Sequence, residues 1–320
     1  MNRSHFFICA ALATSATWAQ VPNVEFLNEN KDIIYDIDLA DSTRLVALAP
    51  DYIATWDLST KSIVHKYNAP GANLTCLDVS GHGEMTLFGN KQGDVTVIGT
   101  TTDEPILKKS YPGSGAVTDV KFNASDSLAA VTFYSGFFGV IDLNSKNMWE
   151  YNIPEGHAIS CGFSQNGQFL AVGDDKGIVR IYNLVSHSLV NEFTTRNSLI
   201  KEIIWIEDDL KIIAAMQDGN IQTWSNPATK GQQSMMRQVR NTGTISSAGY
   251  YQETKSVYCC TLEGAAKIHF DLGTYKYREA VAMHAVRALP RNNIYITLAV
   301  ATNGKGIMLV NSQKMKLNAN

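Results

Sequence analysis

The 320-residue sequence has little charge of either sign to spare: 27 lysines and arginines stand against 30 aspartates and glutamates, a formal net charge of −3. A basic stripe is the electrostatic footprint of proteins that hold nucleic acid or anionic membranes, and its absence excludes nucleic acid as an expected partner. Catalytic signatures are missing too. Gly113-Ser114-Gly115 lacks the spacing of a nucleophile elbow, and no phosphate-cradling glycine pattern, His-Glu-x-x-His or calcium loop occurs. The histidines at 65, 82, 157, 187, 269 and 284 fall at intervals that suit no metal site. Cysteine is scarce, and beyond Cys9 only Cys76, Cys161, Cys259 and Cys260 remain, which read as small buried apolar side chains rather than disulfide partners. The apolar stretch at residues 6–13 is too short for a membrane-spanning helix, and no integral span is expected. No catalytic residue, metal or cofactor is expected, and the chain does not read as an enzyme.

What the sequence has is repetition. Residues 158–193, AISCGFSQNGQFLAVGDDKGIVRIYNLVSHSLVNEF, read as four short strands joined by three turns. Ile159, Cys161 and Phe163 alternate with small polar residues, as in a half-buried strand. Asn166-Gly167 reads as a two-residue hairpin turn in which both residues take positive φ. One such sheet cannot bury its faces alone and requires stacked copies. With Tyr182 as anchor, equivalent positions are Trp56, Ile98, Ile141, Trp224, His269 and Leu309, at successive gaps of 42, 43, 41, 42, 45 and 40 residues. Polar turns keep the same period, 16 to 19 residues ahead of each anchor. Four strands in every 40 to 45 residues is the signature of a propeller blade, so the expected fold is an all-β, seven-bladed β-propeller of four-stranded antiparallel blades.

The repeats resemble the WD-repeat family. Trp56-Asp57, Tyr182-Asn183 and Trp224-Ser225 stand where that family ends its third strand, and Gly156-His157 stands where its Gly-His pair falls. The family links His, Ser or Thr, Asp and Trp by hydrogen bonds within a blade, and no blade here keeps the set whole. Blade four has His157 with Val172, Lys176 and Tyr182 in the other places; blade five has Asp218 and Trp224 with Ala214 and no histidine. The resemblance implies structural roles for His157, Asp218 and Trp224, with His157 making a hydrogen bond that links blades. It also implies that an N-terminal strand completes the last blade. Residues 24–27 and 314–317 both suit that place, and the former is favoured because an unpaired edge at the seam would invite aggregation.

Residues 1–20, MNRSHFFICAALATSATWAQ, resemble a secretory signal cleaved after Ala19. The expected organisation is therefore a signal peptide at 1–19 and a single propeller domain at 20–320, exported to a periplasm or secreted; if residues 1–19 are retained, the chain is cytoplasmic. The expected function is a non-catalytic scaffold for one or more protein partners, with an intracellular WD-repeat subunit of a larger assembly as the alternative. An enzyme propeller of lactonase or quinoprotein type is disfavoured. Such enzymes ring the channel with carboxylates, and here Asp36, Asp78 and Asp119 read as equivalent positions of blades one to three while Gly162, Ile203, Ala248 and Ala288 stand near that place in the others. Solvated carboxylates at the channel mouth are the expectation. The candidate partner face carries the turns between second and third strands, and is marked by Tyr52, Lys91, Tyr134, Phe137, Asp175 and Gln217. Tyr134 and Phe137 stand out as aromatics at an exposed turn. The alternative is that Phe138 packs within its blade and Tyr134 leans on blade two.

Overall fold

The computed structural model describes residues 24–27, 32–195, 197–229, 234–240, 243–270, 273–278, 281–289, 297–311 and 316–318. Short antiparallel strands pair in chain order into seven sheets, each of which is one blade. Blade four is built from Ala158–Phe163, Phe169–Asp174, Ile178–Asn183 and Ser188–Thr194, innermost to outermost. Its first turn is longer than expected: residues 164–168 connect the strands, and Gly167 alone takes positive φ, at 71°. Ser164 replaces the tight hairpin, its Oγ accepting from Phe169 N at 2.9 Å and donating to Asn166 Oδ1 at 2.8 Å. The next turn has its own cap, with Asp174 Oδ1 accepting from Lys176 N and Ile178 N at 2.9 and 2.8 Å. The only helix among the described residues is a single 3-10 turn, Gln252–Thr254, and none is long and apolar enough to cross a membrane.

Both faces of a blade are apolar because each is covered by a neighbour. Phe138 and Val140 of blade three pack with Cys161, Leu170, Val172 and Tyr182 of blade four in one such layer, and Phe138 is wholly buried there. The four described cysteines are buried and unbridged. The inner strands of blades two to seven share one irregularity, a bulge at Thr75, Thr118, Ile159, Lys201, Ser246 and His284. A bulge sharpens the local twist and turns an extra side chain out of register. Where that side chain is a hydroxyl it reaches the next blade. Thr75 donates to Val117 O at 2.8 Å, Thr118 to Ala158 O at 2.7 Å and Ser246 to Met283 O at 2.6 Å.

The ring closes as favoured: Val24–Phe26 pairs with Ile307–Asn311 of blade seven, Glu25 opposite Leu309. The C-terminal strand, Lys316–Asn318, lies elsewhere, as a fifth strand on the outer edge of blade six opposite Thr274, Tyr275 and Lys276. Ladder register corrects one anchor. Val310 in blade seven, rather than Leu309, stands where Tyr182 does, since Leu298 pairs with Val310 as Leu170 pairs with Tyr182. The expected leader and its cleavage point lie outside the described residues.

Candidate functional site

The inner strand of a blade has no strand partner on its channel side, so its free N–H groups need acceptors. Aspartates of the preceding blade supply them. Asp36 Oδ2 accepts from Leu77 N at 3.0 Å and Asp38 Oδ2 from Val79 N at 3.0 Å, joining blade one to blade two. Asp78 Oδ2 accepts from Phe122 N at 2.7 Å, and Asp119 Oδ2 from Cys161 N at 2.9 Å. The register separates these residues into two rings. Asp36, Cys76, Asp119, Ser160, Glu202, Ser247 and Ala285 form the ring nearer the mouth; Asp38, Asp78, Lys121, Gly162, Ile204, Gly249 and Arg287 form the deeper one. The expected equivalence of Asp36, Asp78 and Asp119 therefore fails, because Asp78 belongs with Asp38 and Lys121. Nor are these carboxylates solvated at the mouth: they are engaged at the walls.

Two cations bind the rings together. Lys121 Nζ lies 3.4 Å from Asp78 Oδ1 and 3.6 Å from Asp119 Oδ1. Arg287 Nε donates to Asp38 Oδ1 at 3.0 Å, joining blade seven to blade one, and its Nη2 is 3.9 Å from Asp36 Oδ1. Ser247 Oγ donates to Glu202 Oε1 at 3.3 Å. Burial raises the pKa values of Asp36 and Glu202 against the pull of Lys121 and Arg287, and pushes Asp78 up to about 8 against the same cations. Burial works the other way on Lys121, but the Asp119, Asp78 and Glu202 carboxylates outweigh it and hold the ammonium charged. Asp38, Lys121, Glu202 and Arg287 were not among the expected site residues. Their signal was charge at alternate positions of an otherwise apolar inner strand. Among the described residues no three His, Cys, Asp or Glu side chains converge as metal ligands would.

Above the rings a mouth of about 290 Å³ is lined by the bulged residues, among them Thr75, Lys201 and His284, and by Tyr35 ahead of blade one's first strand, with Gln217 at its rim. The turns between second and third strands share this face with the inter-blade links, since Lys91 N donates to Asn73 O, Tyr134 N to Ala116 O, Asp175 N to His157 O and Gln217 N to Leu199 O. The six expected partner-face residues thus circle one side of the disc without converging. Tyr52 is half-buried, its Oη donating to Asp32 Oδ2 at 2.6 Å, while Lys91 and Gln217 are exposed. Tyr134 is 52% exposed. It leans on blade four's approach rather than on blade two, its ring stacked on His157 at 3.8 Å between centroids. His157 Nδ1 donates to the Tyr134 carbonyl, and His157 N donates to Asp175 Oδ1 at 2.8 Å, so Tyr134, His157 and Asp175 form one connected corner.

Phe137 departs from the expectation of an exposed aromatic. Half-buried, it packs on Phe133 at 5.2 Å and on Tyr111 of blade two at 6.0 Å, because strand alternation turns it inward while Tyr134 stands at the turn itself. Phe138 packs within its own blade, stacked on Tyr151 at 5.1 Å, and also reaches across the seam to Tyr182 of blade four at 5.1 Å. Asp218 is exposed and bonds its own turn, accepting from Asn220 N at 3.0 Å, while Trp224 is buried against Phe193 at 4.7 Å.

Residues 120–208 match the family model described as the anaphase-promoting complex subunit 4 WD40 domain. Together with the seven blades, this bears out the recognition of a WD-repeat propeller. Among curated proteins the chain is similar to the intraflagellar transport protein 122 homologs of Danio rerio, at 24% identity over 169 residues, and Xenopus tropicalis, at 25% over 169 residues. It is also similar to the U3 small nucleolar RNA-associated protein 18 homolog of Caenorhabditis elegans, at 29% over 138 residues. These matches cover 52%, 52% and 39% of the chain but only 14%, 14% and 32% of the relatives. Among solved structures, the Cps50 (Swd1) β-propeller domain of Myceliophteria thermophila superposes with a TM-score of 0.77 at 14% identity, over 90% of this chain and 99% of that one, a likeness of fold.

Proposed function

We propose that this WD-repeat propeller is a non-catalytic scaffold that holds a protein partner on the face carrying the Tyr134, His157 and Asp175 corner. One observation carries the non-catalytic reading. The carboxylates that could have formed a reactive ring, Asp36, Asp38, Asp78 and Asp119, are engaged in fastening blade one to two, two to three, three to four and seven to one, each with an oxygen on a backbone N–H or a cation. What remains open on that face is a rim of turns with one stacked aromatic pair, and exposed tyrosine over a flat support is the kind of group that anchors protein interfaces. The similar curated proteins are named for intraflagellar transport and for association with a small nucleolar RNA, and neither name is that of an enzyme. The experiment is quantitative cross-linking in the native host, comparing the wild-type chain with Tyr134→Ala. Equal capture by both would remove this corner from the interface, and turnover of a substrate by the purified chain would end the non-catalytic reading.

Two settings fit the scaffold. Export rests on residues 1–20, with maturation after Ala19. A subunit retained inside the cell is supported by the names of the relatives and by four unbridged cysteines, which suit a reducing compartment. Mass spectrometry of the mature N-terminus separates them: a chain beginning at Gln20 supports export, and one beginning at Met1 or Asn2 supports retention.

A further inference from the structure

Two Asn-Gly steps stand at turns at opposite ends of their blades, Asn166-Gly167 between the first and second strands of blade four and Asn303-Gly304 between the second and third strands of blade seven. Such a step is where a chain deamidates without an enzyme, because glycine puts no side chain in the way of its own amide nitrogen. Both asparagines are exposed, and both glycines take positive φ, 71° and 89°. What holds the two steps differs. Asn166 Oδ1 accepts from Ser164 Oγ at 2.8 Å and from Gln168 N at 2.9 Å, Asn166 N donates to Asp209 Oδ2 at 2.9 Å, and Gly167 N donates to Ser164 O at 3.0 Å. The amide that would react and the nitrogen that would attack it are both tied into the turn.

Asn303 is held only through its backbone. Among the described residues its side chain makes no hydrogen bond, and Gly304 N makes no turn bond like that of Gly167. The turn is fastened around the step instead: Lys305 N donates to Thr302 Oγ1 at 3.1 Å, and Thr302 Oγ1 donates to Gly306 O at 2.8 Å. Asn303 N donates to Ala282 O at 2.9 Å in the link ahead of blade seven, and the residue forms an isolated antiparallel bridge with Ile33 at the entry to blade one. This backbone therefore takes part in closing the ring. As a turn between second and third strands, it also lies on the face that carries Tyr134, Asp175 and Gln217.

We propose that Asn303 is a site of spontaneous modification, deamidating in the folded protein while Asn166 is protected. Gly304 N gives up its proton to hydroxide and attacks Asn303 Cγ; the new C–N bond closes a succinimide ring, and the side-chain amide nitrogen leaves as ammonia with a proton from water. Water then opens the ring at either carbonyl, leaving aspartate or isoaspartate. Either product adds a negative charge to this face of a chain whose net charge is already −3. Isoaspartate also routes the main chain through the former side-chain carbon, lengthening it at the residue bridged to Ile33. The modification does not depend on the scaffold reading.

The test ages the full chain in mildly alkaline buffer and counts aspartate and isoaspartate at both steps by peptide-mapping mass spectrometry. In the folded chain Asn303 should convert at least about 10-fold faster than Asn166, since the hydrogen bonds at Asn166 must open before its amide can turn toward Gly167 N. In urea, where both turns are lost, the two rates should agree within about 3-fold. Asn303→Asp supplies the charge without lengthening the chain and should leave the melting temperature nearly unchanged, whereas chain aged until isoaspartate predominates at this position should melt lower. Conversion at Asn166 as fast as at Asn303 in the folded chain overturns the proposal, as does a folded chain that keeps Asn303 intact over a time in which the unfolded chain converts it. An aged chain that melts like fresh chain overturns the link to ring closure. No arm reads partner capture, so failure of the scaffold reading would be seen separately.

Discussion

If Asp119 is a clamp between blades, removing its carboxylate must cost stability, whereas a carboxylate retained for chemistry is commonly replaced at no cost or with a gain. Asp119 Oδ2 accepts from Cys161 N at 2.9 Å across the seam of blades three and four, and its other oxygen lies 3.6 Å from Lys121 Nζ. Asp119→Ala leaves the Cys161 N–H without its acceptor and leaves Lys121 with Asp78 at 3.4 Å as its near partner. A hydrogen bond to a charged group contributes about 1.5–3 kcal/mol, and weakened pairing of a mostly buried ammonium adds to the loss, so about 2–4 kcal/mol is expected. Asp119→Asn keeps an oxygen for Cys161 N and loses only the charge, at about 1 kcal/mol. Lys121→Met added to Asp119→Ala removes the stranded cation and should recover part of the loss, because a buried ion pair replaced by apolar groups of similar volume is often near neutral. The assay is urea unfolding with the slope held in view, so that a shifted midpoint is read as stability. An alanine variant within about 0.5 kcal/mol of wild type, or an asparagine variant worse than alanine, would refute the clamp.

Asp78 gives a pH signature. Its folded pKa of about 8 lies above the unfolded carboxylate value, so between about pH 4 and pH 8 the native chain holds a proton that the unfolded chain has released. Stability should therefore fall as pH rises through that window, by up to about 1.4 kcal/mol per pH unit, and Asp78→Asn should flatten the fall; an unchanged slope in urea midpoints would contradict it. Phe138→Ala opens a hole in the seam of blades three and four and should cost about 3–5 kcal/mol, read by thermal unfolding, with a loss below about 1 kcal/mol counting against the packing described. Gly162→Ala should also destabilise the chain, since the added Cβ would stand 2.8 Å from Ile203 O of the next blade; an unaltered melting temperature would show that the two blades can part there. Tyr134→Ala should lower partner capture by about 2 kcal/mol with little change in melting temperature, whereas Phe137→Ala should lower the melting temperature through the contacts with Phe133 and Tyr111.

The period was legible because turns and alternation recur whatever fills them: Tyr182, Trp224 and their equivalents all end an apolar third strand, and a count of seven needs no exact register. The channel was not legible, for a reason that lies in two turns. Blade one spends one residue fewer than blade two between its first and second strands, at residues 40–43 against 80–84, and one fewer between its second and third, at 50–51 against 91–93. Counting back from the anchors Trp56 and Ile98, Asp36 and Asp78 each fall 20 residues away and look equivalent, while the ladders set Asp36 beside Cys76 and Asp38 beside Asp78. A shift of two keeps a side chain on the same side of its strand, so the apolar pattern gives no warning, and only the cross-blade bonds reveal the slip. Asp119, 22 residues before Ile141, then joins Asp36 rather than Asp78. The same spacing hid the role of the carboxylates. As a single ring of three they suggested a mouth facing solvent; as two rings threaded by Lys121 and Arg287 they supply the acceptors that the unpaired channel edge of blades two, three and four requires. In blade four the sequence itself changes, to Ser160 and Gly162, and there the next blade is met by Ser160 Oγ donating to Ile200 O at 3.0 Å and by Trp205 Nε1 donating to Gly162 O at 2.9 Å. Carboxylates that accept from backbone N–H groups thus give way to other contacts where the small residues begin, and in blade five Glu202 accepts instead from the Ser247 hydroxyl of blade six.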